Sequence, residues 1–201
     1  PKKLSNINLI NPLLFNRYLA RNSKLLLAKS DGIIFQSYTS KKSYSKIYDF
    51  EKIEIPSKII YNGTKLKRFK KNIDQDSIYG FPAIVTSASE FRPNKRLGDT
   101  LKLVLELSKI YPKIKLHIVG NISKYELSII KNIINKNPGI YKFHGLLNRN
   151  NISNLLDEMH LQLHLSFQDA CPNAVIEGMM SSLPTITPAH TGTAELLDIY
   201  K

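Results

Sequence analysis

Cys171 is the only cysteine in the 201 residues, so no disulfide can form within the chain. This fits a reducing cytoplasm, where structural disulfides are rare. No apolar run approaches the roughly 20 residues that a membrane-spanning helix needs. No charged segment followed by an apolar stretch opens the chain, as it would in a secretory signal. The first residue is Pro1 rather than Met, as expected of a fragment or a trimmed chain. Neither a Gly-x-Gly-x-x-Gly fingerprint nor a Walker phosphate loop is present, which argues against the two commonest glycine-rich phosphate cradles. The five histidines show no metal-ligand spacing. The tyrosines are scattered and build no stacking platform for bases, so a nucleic-acid partner is not expected. Cys171 has no Cys/His partnership that would make it a nucleophile. Internal repeats and low-complexity tracts are lacking too.

Acids are scarce beside bases: 16 Asp and Glu against 29 Lys and Arg, for a formal net charge of +13. Such a balance suits an anionic partner, whether nucleotide, lipid surface or nucleic acid. It equally suits a chain that is rich in Lys, Ile and Asn throughout. The basic residues are spread along the sequence, with one cluster at Lys65, Lys67, Arg68, Lys70 and Lys71. A hydrophobic share of 42% and a charged share of 22% are those of an ordinary globular protein. The length allows one well-buried core and part of a second.

From Pro82 onward, short apolar runs alternate with amphipathic segments. Strands are expected over Pro82–Thr86, Lys115–Val119, Ile140–His144, Leu161–Ser166 and Pro184–Thr187. Helices are expected over Leu97–Ile110, Ser123–Lys136 and Asn151–Met159, then from Pro172 and from Thr193. In the first of these helices Leu97, Leu101, Val104 and Leu105 share one face. Leu103, Leu107 and Ile110 form a second apolar stripe, which predicts a well-buried helix. Strands alternating with helices of ten or more residues imply βαβ units and a parallel sheet. Ligands of such sheets bind beyond the carboxyl ends of the strands, so residues just after strands are the candidates. The first sixty residues read as a long helix over Leu9–Lys29, a strand over Gly32–Gln36, a helix over Ser40–Tyr48 and a strand over Lys58–Tyr61. A turn at Asn62-Gly63 and a basic linker follow. His117 and His164 fall in strands and read as core or sheet-face residues.

The stretch DACPNAVIEGMMSSLPTIT, Asp169 to Thr187, resembles the donor-site signature of glycosyltransferase family four, the retaining GT-B enzymes also called glycosyl transferases group one. That signature has an acid, seven residues, then Glu, followed by a helix of small residues and a Gly/Ser-x-Pro strand. Asp169 takes the first place, one methylene shorter than the usual Glu, and Glu177 takes the second. On spacing alone, Asp169 could simply favour the helix dipole and Glu177 be a solvated helix acid. SEFRPNKRLGD, Ser89 to Asp99, is similar to the family's Arg/Lys element after the first donor-domain strand. Here the Arg stands three residues before the Lys rather than five, and Glu90 holds the commoner Arg place. Further similar segments are IIYNGTKLKRF, LHIVG, FHGLLNRNNISNLLDEM, TGTAEL with Thr191 in place of a Gly, and DGIIFQSYTSKK. The likeness runs from about Asp31 to the end and is strongest from Pro82 to Leu196.

The resemblance implies a Rossmann-like α/β fold, a parallel sheet with helices on both faces, preceded by a partial second α/β domain. The implied division is 1–62 for the end of the acceptor-side domain, 63–80 for a linker, and 81–201 for the nucleotide-sugar-binding domain. It also implies transfer of a sugar from a nucleoside diphosphate sugar to an acceptor hydroxyl with retention. Arg92, Lys95 and Asp169 would be catalytic, the two cations holding the diphosphate as the leaving group gains charge. Pro172 and Asn173 would sit at a helix N-terminus whose free N–H groups favour phosphate or sugar oxygens. Cys171 and Ala174 would flank them against the donor. Glu177 would accept hydrogen bonds from the ribose, and Gly145 and Leu147 would touch the base. Arg96 is expected to be solvated. No cofactor and no metal are implied, and the acceptor would be a saccharide or lipid-linked, in polysaccharide, lipopolysaccharide or glycolipid synthesis. A cytoplasmic site, with peripheral contact at the inner membrane face, is the implied location. Because half of the acceptor-side domain lies outside the sequence, this chain alone is expected to bind donor yet transfer little. The other readings are a non-catalytic sugar-nucleotide-binding remnant and a basic membrane- or nucleic-acid-binding module.

Overall fold

A computed structural model describes residues 27, 29–46, 55–64 and 78–199, with the backbone alone for 198 and 199. Most of the long helix expected over Leu9–Lys29, most of the linker, and the basic cluster from Lys65 to Lys71 lie outside the described residues. A first, small unit consists of β1 (Ile33–Phe35), α1 (Tyr38–Ser45) and β2 (Ser57–Ile59), the two strands pairing in parallel. The larger unit follows as β3 (Ala83–Phe91), a 3-10 turn (Pro93–Lys95), α2 (Leu97–Ser108), β4 (Lys115–Ile122), α3 (Lys124–Lys136), β5 (Tyr141–Gly145), α4 (Arg149–Asp157), β6 (Leu161–Leu163), α5 (Asn173–Met180), β7 (Thr185–Ile186) and α6 (Gly192–Ile199). Its five strands are all parallel, in the order β5-β4-β3-β6-β7. The chain winds outward in one direction from β3, then crosses back to β6 and continues in the other. The point between β3 and β6 is where a ligand crevice opens in such sheets.

Local chemistry sets the helix starts. Ser37, Ser123 and Asn148 each turn a side-chain oxygen onto the backbone N–H three residues on, at 3.0, 3.2 and 2.9 Å. Each thereby satisfies one of the N–H groups that a helix start leaves open. α2 has no such cap of its own, because Arg96 precedes it in the left-handed region at φ 53°. The buried Glu126 carboxylate of α3 accepts from the Gly98 N–H instead, at 3.3 Å.

Alternation along β3 divides the core in two. Ile84 points to one face, with Leu97, Leu101 and Val104 of α2, Ile130 of α3, and Leu116 and Ile118 of β4. Ala83 and Val85 point to the other, with Leu155, Leu156 and Met159 of the α4 segment. Helices therefore cover both faces, as expected. The second apolar stripe of α2 is a correction. Leu103 is 41% and Ile110 70% exposed, and only Leu107 of the three packs on the core. A helix that lies on one face of a sheet buries one stripe there, and among the described residues no further element covers the other. β6 is also shorter than expected, ending at Leu163. β3 runs past Thr86 to Phe91, with a register shift between Ser87 and Glu90. The basic element thus begins inside the strand, not after it.

Two glycines are required by close approach. A Cβ on Gly120, at φ +133°, would lie 1.8 Å from the Ala88 carbonyl oxygen, so β4 can run this close to β3 only without a side chain. A Cβ on Gly192 would lie 1.6 Å from the Ala170 carbonyl oxygen and 2.4 Å from Ser37 Oγ. At that point α6 meets both the loop between β6 and α5 and the start of α1.

Candidate functional site

The segments after β3 and β6 are tied together at the carboxyl edge. The Asn94 carbonyl accepts from the Phe167 N–H at 2.8 Å and from Ser166 Oγ at 3.2 Å. These bonds hold the Pro93–Lys95 turn against the loop that leads to α5. Across this seam the Lys95 ammonium meets Asp169 Oδ2 at 2.5 Å. The same oxygen is reached by His164 Nε2 at 2.9 Å. Lys95 and Asp169 keep 18% and 15% of their side chains exposed, so the pair is sheltered but open on one side. Burial alone would push the Asp169 carboxyl up, but hydrogen bonds and charge from His164 and Lys95 hold it below its ordinary value. Asp169 is thus a fixed anion at neutral pH, and its carbonyl also accepts from the Gly192 N–H at 3.0 Å.

Arg92 does not join this group by any contact among the described residues. Its guanidinium pairs with Glu90 at 3.1 Å on the surface, 65% exposed. Arg96 is likewise half-exposed, bonded to Asp99 at 2.7 Å. Pro172 caps α5 without offering a side-chain acceptor, and Asn173 at the first helical position is exposed. The Cys171 thiol is buried, which pushes it above its ordinary value, and its carbonyl is taken by Asn62 Nδ2 at 2.7 Å. The Ala174 carbonyl accepts from Gln162 Nε2 at 2.8 Å. Gly145 ends β5 at φ +63°, exposed, and Leu147 packs against the second core cluster.

Glu177 lines a cleft of about 350 Å³ with Gly63, Thr64, Arg149 and Asn173. Burial raises its carboxyl above the ordinary value, and the charge of Arg149 works against that rise. The cleft therefore combines a carboxylate, a guanidinium and an amide at the start of α5, on the side where the small unit adjoins the sheet. Glu195 of α6 makes that junction. It accepts from the backbone N–H of Tyr38 at 2.8 Å and of Thr39 at 2.5 Å, and from the Tyr61 hydroxyl at 2.7 Å. Among the described residues, no three of His, Cys, Asp or Glu gather as ligands for a metal ion.

The family model for Glycosyl transferases group 1 matches residues 68–201, more than half of the chain. The chain belongs to this family. No curated protein matches it by sequence. Among solved structures it is similar to HepE of Anabaena in complex with UDP-glucose, with a TM-score of 0.69 and 20% identity over 92% of this chain and 52% of that one. It is also similar to sucrose-phosphate synthase of Thermosynechococcus elongatus, with a TM-score of 0.69 and 18% identity over 90% and 46%. A third is TarM of S. aureus, a point mutant in complex with fondaparinux, alpha-GlcNAc-glycerol and UDP, with a TM-score of 0.63 and 18% identity over 87% and 32%. At such identities the likeness establishes the GT-B-type fold, and the chain spans only about a third to a half of these relatives.

In this chain of the group 1 family, three residues with contacts around these positions were not singled out by the sequence. His164 looks like core, and it is 4% exposed, yet its ring is bonded to Asp169. The signal was the alternation in LQLHLS, which sets Gln162 and His164 on one face of an otherwise leucine-rich strand. Arg149 and Glu195 carried no local signal that linked them to Glu177 or to α1.

Proposed function

We propose that the full-length protein transfers a sugar from a nucleoside diphosphate sugar to an acceptor hydroxyl, with retention of anomeric configuration. The observation that carries this reading is the Lys95–Asp169 pair at the switch point of the sheet, beside the helix that bears Glu177. In the reaction, the bond from the anomeric carbon to the terminal phosphate oxygen breaks. The acceptor oxygen forms its bond from the same face. Its proton passes to the departing diphosphate oxygen, and the nucleoside diphosphate is released. No side chain has to act as nucleophile.

Lys95 uses its remaining N–H groups on the diphosphate, whose charge grows as the bond breaks, and Arg92 adds a second cation on turning away from Glu90. Asp169 accepts from hydroxyls of the donor sugar, and Glu177 accepts from the ribose. The start of α5 at Pro172, Asn173 and Ala174 faces the sugar and phosphate oxygens, and Gly145 and Leu147 border the base. With two cations and a helix end supplying positive charge, no metal is needed. The acceptor is a saccharide or a lipid-linked saccharide in polysaccharide, lipopolysaccharide or glycolipid synthesis. The reaction is placed in the cytoplasm, with peripheral contact at the inner membrane face. Among the described residues no helix is long and apolar enough to cross a membrane.

The test is initial rates of the full-length protein with UDP-, GDP- and ADP-sugars, with the product anomer read by NMR. A product of unchanged configuration is expected. An inverted product would overturn retention, and donor binding with no transfer to any saccharide would leave a sugar-nucleotide-binding remnant.

A further inference from the structure

We propose that His164 is the positioning residue for Asp169, fixing one carboxylate oxygen so that the other is aimed at the donor sugar. This rests on the donor-site reading above. Asp169 accepts both of its side-chain bonds among the described residues at Oδ2, from Lys95 and from His164. The two donors differ in stiffness. Lys95 ends a flexible four-carbon stem and has three N–H donors, so it can keep Asp169 while turning to a phosphate. His164 has two side-chain torsions and a ring that is nearly fully buried. Its own backbone N–H donates to the Ile186 carbonyl at 2.9 Å, which anchors it to β7.

A carboxylate accepts and cannot donate when ionised, so His164 Nε2 carries the proton in this bond. The main chain of Asp169 is held as well, by the Gly192 N–H. Backbone and side chain of Asp169 are therefore fixed from two elements that do not touch the donor. Lys95 alone would not achieve this, because its ammonium is shared with the ligand it serves. A catalytic constellation loses most when a supporting bond of this kind is removed, since the reacting group then samples unproductive orientations.

The experiment uses the full-length protein with H164L, which removes the donor, and H164Q, whose carboxamide keeps an N–H. Calorimetry compares the tightest-binding nucleoside diphosphate among UDP, GDP and ADP with its glucose conjugate. Because Asp169 serves the sugar and not the nucleotide, H164L should leave diphosphate affinity within about twofold. It should weaken the glucose conjugate on the order of tenfold, the scale of one hydrogen bond to a charged group. H164Q should recover most of that loss. Equal losses for both ligands, or no loss for the conjugate, would overturn the assignment while the donor site stands. Failure of the wild type to bind any of the three diphosphates would overturn both readings. If H164L does not fold, the decision passes to the nitrogen-bound ring proton of His164 in the wild type. A resonance that persists on addition of the glucose conjugate supports the role, and one lost to exchange contradicts it.

Discussion

On the proposed donor-site reading, Lys95 and Glu177 serve one ligand by different means, and their variants should separate accordingly. Lys95→Ala removes a cation whose work grows toward the transition state, so the maximal rate should fall roughly a hundredfold, the scale of one lost oxyanion donor, with a smaller loss in donor affinity. Initial rates against donor titrations decide this, and a weakened affinity with an intact maximal rate would remove the catalytic role. Glu177→Ala should cost donor affinity about 1.5–3 kcal/mol, the range for hydrogen bonds to a charged group. The meeting of Lys95 and Asp169 at one edge of the sheet was legible in the sequence, because each belongs to a contiguous motif that follows a strand. His164 was not, because a histidine inside a leucine-rich strand looks like core until the loop after it turns back over the strand. Arg92 shows the converse. Its motif was legible, but its contact with Glu90, two residues back at the end of β3, is a matter of side-chain geometry that spacing does not determine.

At the scale of elements, the junction between the small unit and the sheet depends on Glu195. Glu195→Ala would leave the N–H groups of Tyr38 and Thr39 without that carboxylate, although Ser37 would still cap the Ser40 N–H. Loss of about 0.5–2 kcal/mol of stability is expected, as for an N-cap, read by chemical denaturation. A spectroscopic consequence accompanies it. The Tyr61 hydroxyl is pushed up to about 12, first by its bond to Glu195 and then by burial. Its folded-state value lies above its unfolded one of 10.0, so its contribution to stability is complete below that value and is lost as pH rises toward 12. In Glu195→Ala the ultraviolet titration of Tyr61 should move back toward the ordinary tyrosine value, and an unmoved titration would rule out the contact. The strands and helices of the larger unit were legible because each has one period and one buried face. The second stripe of α2 misled because a helix seen in sequence does not reveal how many layers will pack on it. A few exposed apolar residues are ordinary when only one face of a helix meets a sheet.

For the molecule as a whole, the fold tolerates great divergence. Structures at 15–21% identity superpose on it with TM-scores of 0.60–0.69, since burial pattern and βαβ handedness constrain far fewer positions than the sequence has. Global stability should carry a mark of one histidine pair on β4 and β5, of which His117 is buried. His117 Nε2 donates to the Tyr79 carbonyl at 2.8 Å, so in the neutral ring Nδ1 accepts from His144 Nε2 at 2.9 Å. Burial lowers His117 to about 4, with Lys142, Lys115 and His144 opposing its charge, and lowers His144 as well. The folded value lies below the unfolded value of 6.5. Stability from the neutral pair is therefore present above pH 6.5 and is lost as pH falls through that window toward about 4. Denaturation midpoints across this range should drop more in the wild type than in His117→Gln, and parallel curves would refute the assignment. The central claim, that a nucleoside diphosphate binds beside α5 at the carboxyl edge of the sheet, is tested most directly by calorimetric titration of UDP, GDP and ADP into the wild type and Glu177→Ala. One of the three should bind the wild type with a single site and bind the variant at least about tenfold more weakly. The same affinity in both proteins would contradict the placement of the donor site.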